Sequence, residues 1–226
     1  AAYTAVDKAE TEAEKVFEIN ATGAKNLAYV CNDHGAVLIH VSTDFVFDGE
    51  KNEPYTETDA ANPISVYGAS KLQGEVEIQQ ALKGHFIIRT SWLYSEYGNN
   101  FMKTMLRLAE TRDGISVVSD QIGTPTYAGD LAEIIIQIIN IKTEKYGIYH
   151  YSNEGVASWY EFAKEIFKLT ENKIKVNPIP SIEYLTPAKR PQFSVLDKAK
   201  IKIDLQIKIP FWGDSLEKVI LKGTFK

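Results

Sequence analysis

Three residues of the sequence could together donate a proton to a carbonyl oxygen: Thr43, Tyr67 and Lys71. Tyr67 precedes Lys71 by four residues, so on a helix the phenol and the ammonium group share one face. A nearby positive charge stabilises a phenolate, so Lys71 is expected to lower the pKa of Tyr67 from its ordinary value of about 10. Reduction of a carbonyl group needs such a proton donor beside a source of hydride.

Spacing alone does not identify a catalytic pair, because Tyr160 and Lys164 have the same spacing. Ser158 and Glu161 form a capping-box pattern in that second segment, and apolar residues follow at helical spacing. We interpret Tyr160 and Lys164 as flanking positions of a packed helix. The same structural role stays open for Tyr67 until its context is considered.

The context of Tyr67 includes a strand that ends in two hydroxyl groups. Residues 36–43 (AVLIHVST) are predicted to form a buried strand ending at Ser42 and Thr43. Open α/β sheets bind ligands at the carboxyl ends of their strands. Thr43 is therefore expected at a ligand-binding edge, which favours a catalytic role for Tyr67.

The composition excludes several classes of function. The chain has 226 residues, 44% of them apolar, and a net charge of −5, so it has no basic surface typical of nucleic-acid binding. No apolar run is long enough to predict a membrane span. A single cysteine, Cys31, cannot form an internal disulfide, and a cytoplasmic location is expected. The four histidines lack zinc-ligand spacing, so no metal site is predicted.

Helix-like and strand-like segments alternate along the chain, which predicts an α/β fold with a parallel sheet. Helices are expected near residues 10–32, 65–82, 99–111, 129–141 and from Ser158 onward, and strands near 36–43, 86–94, 115–118 and 147–151. No G-x-G-x-x-G sequence is present, and the chain starts at Ala1 without a methionine. Either the protein binds no dinucleotide or the binding loop has been removed.

Taken together, the motifs closely resemble those of the dTDP-4-dehydrorhamnose reductases, which are extended short-chain dehydrogenases. The motifs are residues 1–10 (AAYTAVDKAE), 42–49 (STDFVFDG), 67–72 (YGASKL), 89–92 (RTSW), 100–101 (NF), 120–126 (DQIGTPT), 158–160 (SWY) and 190–191 (RP). The resemblance implies an N-terminally truncated member, with an incomplete Rossmann-like, doubly wound parallel sheet and a smaller C-terminal α/β lobe. Residues 1–90 and 113–150 would form the partial dinucleotide-binding domain, and residues 91–112 and 151–226 the nucleotide-sugar lobe.

By this resemblance the protein would reduce the 4-keto group of dTDP-4-dehydro-L-rhamnose with NADPH or NADH, giving dTDP-L-rhamnose. Tyr67 would donate the proton to the C4 oxygen, Thr43 would hydrogen-bond that oxygen, and Lys71 would also hold the nicotinamide ribose. The residues implied beside the cofactor are Ala1, Ala2, Tyr3, Thr4, Ser42, Tyr67 and Lys71. For the first four, the alternative is a simple transition from strand to loop. Without the glycine-rich loop, the chain as it stands is expected to bind a dinucleotide weakly or not at all.

The resemblance also implies a set of substrate-binding residues. They are Asp44, Trp92, Asn100, Phe101, Gln121 and Arg190. An arginine suits a pyrophosphate because its planar fork donates paired hydrogen bonds. Four of them have a structural alternative: Asp44 could cap its loop, Trp92 could belong to the core, Gln121 could hold its turn, and Arg190 could be a surface group.

Comparison within the superfamily favours reduction over elimination of water. Nucleotide-sugar 4,6-dehydratases typically place Asp-Glu after the catalytic threonine, whereas here Asp44 is followed by Phe45. The usual reductase residue at position 45 is tyrosine, so a hydroxyl group that could bind the sugar is absent.

Two other functions remain open at this stage. One is a non-catalytic regulatory subunit, because the beta subunit of methionine adenosyltransferase is similar to these reductases. The other is reduction of a different nucleotide-linked keto sugar. A homodimer is compatible with the family, and some members use Mg²⁺ at a dimer contact, but no carboxylate cluster in the sequence identifies such a site.

Overall fold

Helices and strands alternate along the computed structural model, which describes residues 2–223. The helices are α1 Val6–Ala9, α2 Ala13–Phe17, α3 Gly23–Asp33, α4 Val66–Ala81, α5 Phe101–Ala109, α6 Ala128–Ile141, α7 Trp159–Leu169, α8 Ala199–Leu205 and α9 Trp212–Leu221. The strands are β1 Leu38–Thr43, β2 His85–Thr90, β3 Leu93–Tyr94, β4 Gly114–Val118, β5 Ile122–Gly123, β6 Thr126–Tyr127, β7 Gly147–His150, β8 Ala157–Ser158 and β9 Lys175–Ile179. A π-helical turn covers Glu18–Thr22, and 3₁₀ turns cover Asp44–Val46 and Ser181–Glu183.

A parallel sheet with the order β1-β2-β7 forms the centre of the first core. β2 is buried along its whole length because it is covered on both faces. On one face, Ile87 packs with Ala28 of α3 and Ile78 of α4. On the other face, Ile88 packs with Leu131 of α6. This is the doubly wound arrangement that the alternating pattern predicts.

A second apolar core lies around β4 and β9, which pair in parallel, and α5, α7 and α9 contribute to it. α7 begins with the capping box of Ser158 and Glu161, as predicted. The predicted division of the chain placed residues 113–150 wholly in the first domain. In the structure β4, which lies within that range, pairs with β9 and buries Ile115 and Val117 in the second core. The domain division itself stays a prediction.

The long helix predicted over residues 10–32 is interrupted by the π-helical turn at Glu18–Thr22. At this point α4 passes very close, since a Cβ atom on Gly74 would lie 2.3 Å from the carbonyl oxygen of Asn20. Turns of this kind often occur at functional sites because they redirect side chains within a helix. Here the turn directs Asn20 toward α4, the helix that carries Tyr67 and Lys71.

Candidate active site

Thr43 is the last residue of β1, at the carboxyl end of the parallel sheet. Its side chain caps the following 3₁₀ turn by accepting a hydrogen bond from the Phe45 amide, with an N–O distance of 3.2 Å. The same hydroxyl donates to Oδ1 of Asp44 at 3.2 Å. Thr43 is thus fixed by its own turn at the edge where the sequence predicts a ligand.

Tyr67 lies in the first turn of α4 beside this strand end. Ser65 caps the helix by accepting a hydrogen bond from the Gly68 amide at 3.1 Å. A Cβ atom on Gly68 would lie 2.1 Å from the carbonyl oxygen of Phe45, so only glycine allows the helix to approach so closely. The Phe45 and Tyr67 rings meet edge to face with centroids 5.8 Å apart. The close approach brings the Tyr67 phenol to the end of β1.

The pKa of Tyr67 differs from the sequence-based expectation. Burial raises it to about 12, the charge of Asp44 also raises it, and hydrogen bonding to the Thr43 hydroxyl lowers it. Lys71 does not contribute to this shift, so the prediction that it lowers the pKa of Tyr67 is wrong for this arrangement. The physical reason is that removal of the phenol from water is the dominant effect, while the ammonium group of Lys71 is directed to other partners.

Lys71 instead extends along β1. Its Nζ atom donates to the carbonyl oxygen of Val41 at 2.7 Å and lies 3.1 Å from Nε2 of His40. Burial lowers the pKa of His40 to about 3, so this imidazole is neutral and its Nε2 can accept the hydrogen bond. Burial also lowers the pKa of Lys71 to about 8, and the charge of Glu75 acts in the opposite direction.

Asn20 is a site residue that the sequence reasoning missed. Its side chain accepts from the Tyr3 amide at 2.8 Å, and its Nδ2 donates to the Tyr3 carbonyl at 3.1 Å and to the Ser70 hydroxyl at 2.9 Å. It therefore holds the N-terminal segment against α4. The available signal was Gly74, because a glycine inside a helix allows another main chain to approach closely, and Gly74 lies against Asn20.

The predicted cofactor-binding residues are only partly brought together. Ala2 and Lys71 line one cavity of about 550 Å³ beside β1, and Thr4 is exposed nearby in the chain. The Ser42 hydroxyl is buried and donates to Glu75, so it faces the interior of the protein. Ala1 lies outside the described residues. Contact of these residues with a cofactor remains a prediction.

Asp44 is almost fully buried beside Thr43, with 2% of its surface exposed. Its Oδ2 atom has no hydrogen-bond partner at an acceptable distance and angle. The Ser194 hydroxyl is still near enough to lower the pKa of Asp44. Burial is the larger effect and raises the pKa of Asp44 to about 6. A carboxyl group in this state costs folding free energy once it ionises.

Because the carboxyl group of Asp44 is buried, we expect its replacement to raise the stability of the protein by an amount that depends on pH. Its folded pKa lies above the unfolded value, so its neutral form favours folding at low pH, and this benefit is lost as the pH rises through about 6. Asp44→Asn should therefore gain stability relative to the natural protein between pH 4 and pH 8, by on the order of 2–3 kcal/mol. Urea unfolding at a series of pH values measures this difference.

Asp59 provides a control, because its replacement by asparagine should change the stability in the opposite direction. Hydrogen bonds from the Thr56 amide and Lys51 lower the pKa of Asp59 to about 2. As the pH rises above about 2, Asp59→Asn should become less stable than the natural protein, because the natural carboxylate stabilises the fold only when it is ionised. A flat pH dependence for Asp44→Asn would contradict the burial argument.

A second cavity of about 440 Å³ lies between α5, β4 and the segment that contains Arg190. Three of the predicted substrate-binding residues line it, namely Phe101, Gln121 and Arg190. Arg112 and Trp159 line it as well, and neither is among the predicted substrate-binding residues. The cavity thus combines aromatic rings with two guanidinium groups.

Arg190 is held in place by the N-terminal segment. Its Nη1 and Nη2 atoms donate to the two carboxylate oxygens of Asp7 at 3.0 and 2.8 Å. Further bonds go to the Thr186 hydroxyl and the Ala188 carbonyl. Bonding to Arg190 lowers the pKa of Asp7, which keeps the carboxylate ionised. The guanidinium is consequently oriented before any ligand arrives.

Three predicted substrate-binding residues do not line this cavity, namely Asp44, described above, Trp92 and Asn100. Trp92 stacks on Trp159 with ring centroids 3.6 Å apart, and its backbone has the left-handed φ angle of 45°. Such strain in a non-glycine residue often accompanies a functional constraint. Asn100 caps α5 by accepting from the Lys103 amide, and its Nδ2 donates to the Ser95 and Tyr97 carbonyls. The side chain of Asn100 therefore stabilises its own loop and the start of α5, which is a structural role.

No cluster of three or more His, Cys, Asp or Glu side chains that could hold a metal ion is found within residues 2–223. Within the same range, no helix is long and apolar enough to cross a membrane. The Mg²⁺ ion at a dimer contact and the dimer itself stay predictions.

The geometry agrees with comparisons to known proteins. The family model described as the RmlD substrate binding domain matches residues 1–224. A dTDP-4-dehydrorhamnose reductase of Aggregatibacter actinomycetemcomitans is 47% identical, covering 97% of this chain and 78% of that protein. The chain belongs to the dTDP-4-dehydrorhamnose reductase family. This confirms the resemblance inferred from the motifs.

Solved structures of a reductase of the family and of a more distant protein show the same fold. The crystal structure of dTDP-4-dehydrorhamnose reductase from Bacillus anthracis in complex with NADP has a TM-score of 0.95 and 44% identity, covering 98% of this chain and 78% of that one. A dTDP-glucose 4,6-dehydratase from Streptomyces venezuelae has a TM-score of 0.80 at 19% identity, covering 98% and 70%. The second likeness concerns the fold alone, and together they confirm the predicted α/β, Rossmann-like class.

Proposed function

We propose that this protein reduces the 4-keto group of dTDP-4-dehydro-L-rhamnose with NADPH and forms dTDP-L-rhamnose. The observation that carries the proposal is the meeting of Thr43 with Tyr67 at the end of β1, in a chain that belongs to the reductase family. Lys71 lies one helical turn further along α4. A protein that only bound a partner would have no need of this set of proton-donating groups.

The residues beside the first cavity fit a nicotinamide cofactor. As an ammonium group, Lys71 has three N–H donors, and Val41 and His40 take two of them. The third can donate to a ribose hydroxyl. Asn20 fixes the main chain of Tyr3, next to Ala2 in the cavity wall. When bound, the cofactor supplies the hydride, and the NADP complex of the Bacillus anthracis relative supports NADPH.

Tyr67 is suited to donate the proton because it retains that proton at neutral pH. Its pKa of about 12 keeps the phenol protonated in the resting protein. The oxygen at C4 becomes strongly basic as hydride arrives, so it takes the proton from the phenol. The Thr43 hydroxyl favours the resulting phenolate, since its hydrogen bond lowers the pKa of Tyr67.

The second cavity suits the nucleotide part of the substrate. Arg190 is already oriented by Asp7, and its planar fork can bind the pyrophosphate through paired hydrogen bonds. Arg112, also at the wall, adds a second positive charge. Phe101 and Trp159 provide apolar rings against which a base can pack. Trp92 extends this aromatic stack.

Arg190→Lys tests the proposed pyrophosphate contact. Lysine keeps the charge but cannot hold both oxygens of Asp7 and donate a paired set of bonds, so substrate affinity should fall. We expect KM for the nucleotide sugar to rise about 10–100-fold while kcat changes little. Steady-state kinetics measure both constants. Arg107→Lys, on the exposed side of α5, is the matched control, and an equal KM in the two variants would contradict the contact.

The proposed reaction is tested by incubating the full-length protein with NADPH and dTDP-4-dehydro-L-rhamnose and identifying the product by NMR. Other nucleotide-linked 4-keto sugars are assayed in parallel. Faster turnover of another sugar would contradict the proposed substrate but would leave the proposed reductase activity standing. Absence of turnover with every sugar would contradict the proposal that the protein is an enzyme and would favour the regulatory-subunit alternative.

A further inference from the structure

A buried ion pair joins α4 to the central sheet directly below the candidate active site. Glu75 is completely buried, and Arg89 is 3% exposed. Nη2 of Arg89 donates to Oε2 of Glu75 at 2.7 Å, and Nε donates to Oε1 at 3.0 Å. Burying two charges costs so much desolvation energy that such a pair is weak evidence for stability. Its presence at this position therefore calls for another explanation.

The same carboxylate binds a third residue, on the neighbouring strand. Oε1 of Glu75 accepts a hydrogen bond from the Ser42 hydroxyl at 2.5 Å. Ser42 of β1 and Arg89 of β2 are register partners in the parallel sheet. One carboxylate therefore ties α4 to both strands at a single level, and Thr43 is the next residue along β1.

Glu75 also shares a helix face with the catalytic candidates. Lys71 lies four residues before it and Tyr67 eight residues before it, so the three side chains project from the same side of α4. A shift of α4 along the sheet would separate Tyr67 from Thr43. The carboxylate of Glu75 resists that shift through its contacts with both strands.

The charge of Glu75 acts on Lys71 as well. Around Lys71, the titratable groups are Tyr67 and Glu75 on α4 and His40 on β1. His40 and Tyr67 are neutral near pH 7. Arg89 on β2 is paired with Glu75. Glu75 is thus the group whose charge favours the ammonium form of Lys71 and opposes the effect of burial.

We propose that Glu75 and Arg89 are positioning residues, which together set the distance between Thr43 and Tyr67, and that the Glu75 carboxylate supplies the negative charge beside Lys71. This inference rests on the proposed function of Tyr67 and Lys71. Neither residue is expected to touch substrate or cofactor, since both side chains are buried beneath the strand ends.

The test uses two variants of the full-length protein. Glu75→Leu with Arg89→Met removes both charges together, so no buried charge is left unpaired. Ser42→Ala keeps the ion pair and removes only its bond to β1. Ser215→Ala is the matched control, because Ser215 is equally buried and donates to Asp130 at 2.5 Å in a network that does not include Thr43.

We expect kcat of the double variant to fall at least about tenfold, because small misplacements of reacting groups have large effects on rate. The basic limb of its pH profile should move to lower pH, since Lys71 loses the charge that favours its protonation. Ser42→Ala should lower kcat with an unchanged pH profile. Ser215→Ala should lower only the melting temperature.

Acylation of Lys71, followed by mass spectrometry across a pH series, gives a second readout that does not need turnover. The double variant should acylate at lower pH than the natural protein. If the natural protein does not reduce the sugar but this shift occurs, the proposed function fails while the electrostatic role of Glu75 stands. Unchanged Lys71 titration, or a loss of kcat that only follows the loss of folded protein, would overturn the positioning role.

Discussion

Replacing Tyr67 with phenylalanine should lower kcat by about 10²–10⁴-fold, the contribution typical of a general acid. Phenylalanine keeps the ring that contacts Phe45 edge to face, so the fold and the helix position should be retained. The variant loses only the hydroxyl group that faces Thr43 and holds the transferable proton. Steady-state kinetics, with circular dichroism to establish folding, measure the effect.

The chain contains a matched control for this experiment. Tyr160 has the same spacing to a lysine, but it lies in α7 and packs against the second apolar core. Tyr160→Phe should leave kcat within about twofold of the natural value, since it removes no group from the site. Similar losses in both variants would mean that the Tyr-x-x-x-Lys spacing acts through stability and that Tyr67 is not the proton donor.

Arg89→Met should have the largest effect on stability. The substitution leaves the carboxylate of Glu75 buried and unpaired, which typically costs about 3–5 kcal/mol. It also removes the guanidinium group that lies 5.1 Å from the centre of the Phe47 ring. Urea unfolding measures the loss in the free energy of unfolding.

The double replacement of Glu75 by Leu and Arg89 by Met should recover most of that loss, because no charge then remains buried. A double-mutant cycle with the two single variants gives the coupling energy between the side chains. If the single and double variants were equally unstable, the loss would come from packing and not from an unpaired charge.

Local patterns in the sequence were sufficient to predict some elements. The capping box of Ser158 and Glu161 starts α7 where expected, because capping depends on residues three apart. The strand that ends at Thr43 was predicted from its apolar run and its two terminal hydroxyl residues. Phe101, Gln121 and Arg190, expected from the family resemblance, line one cavity.

Features that depend on tertiary contacts were missed. The π-helical turn at Asn20 accompanies the close approach of Gly74 on another helix, which local sequence does not reveal. β9 was missed because Pro178 is unfavourable in a strand interior, and with it the place of β4 in the second core. The pKa of Tyr67 was predicted in the wrong direction because spacing carries no information about desolvation.

Transfer of deuterium from labelled NADPH to the sugar tests the central claim most directly. The full-length protein is mixed with dTDP-4-dehydro-L-rhamnose and NADPH that carries deuterium at the transferable position of the nicotinamide. The account predicts dTDP-L-rhamnose with deuterium at C4, formed rapidly by the natural protein and very slowly by Tyr67→Phe. Failure to transfer the label, or equal rates in the two proteins, would contradict the proposed reduction with Tyr67 as its proton donor.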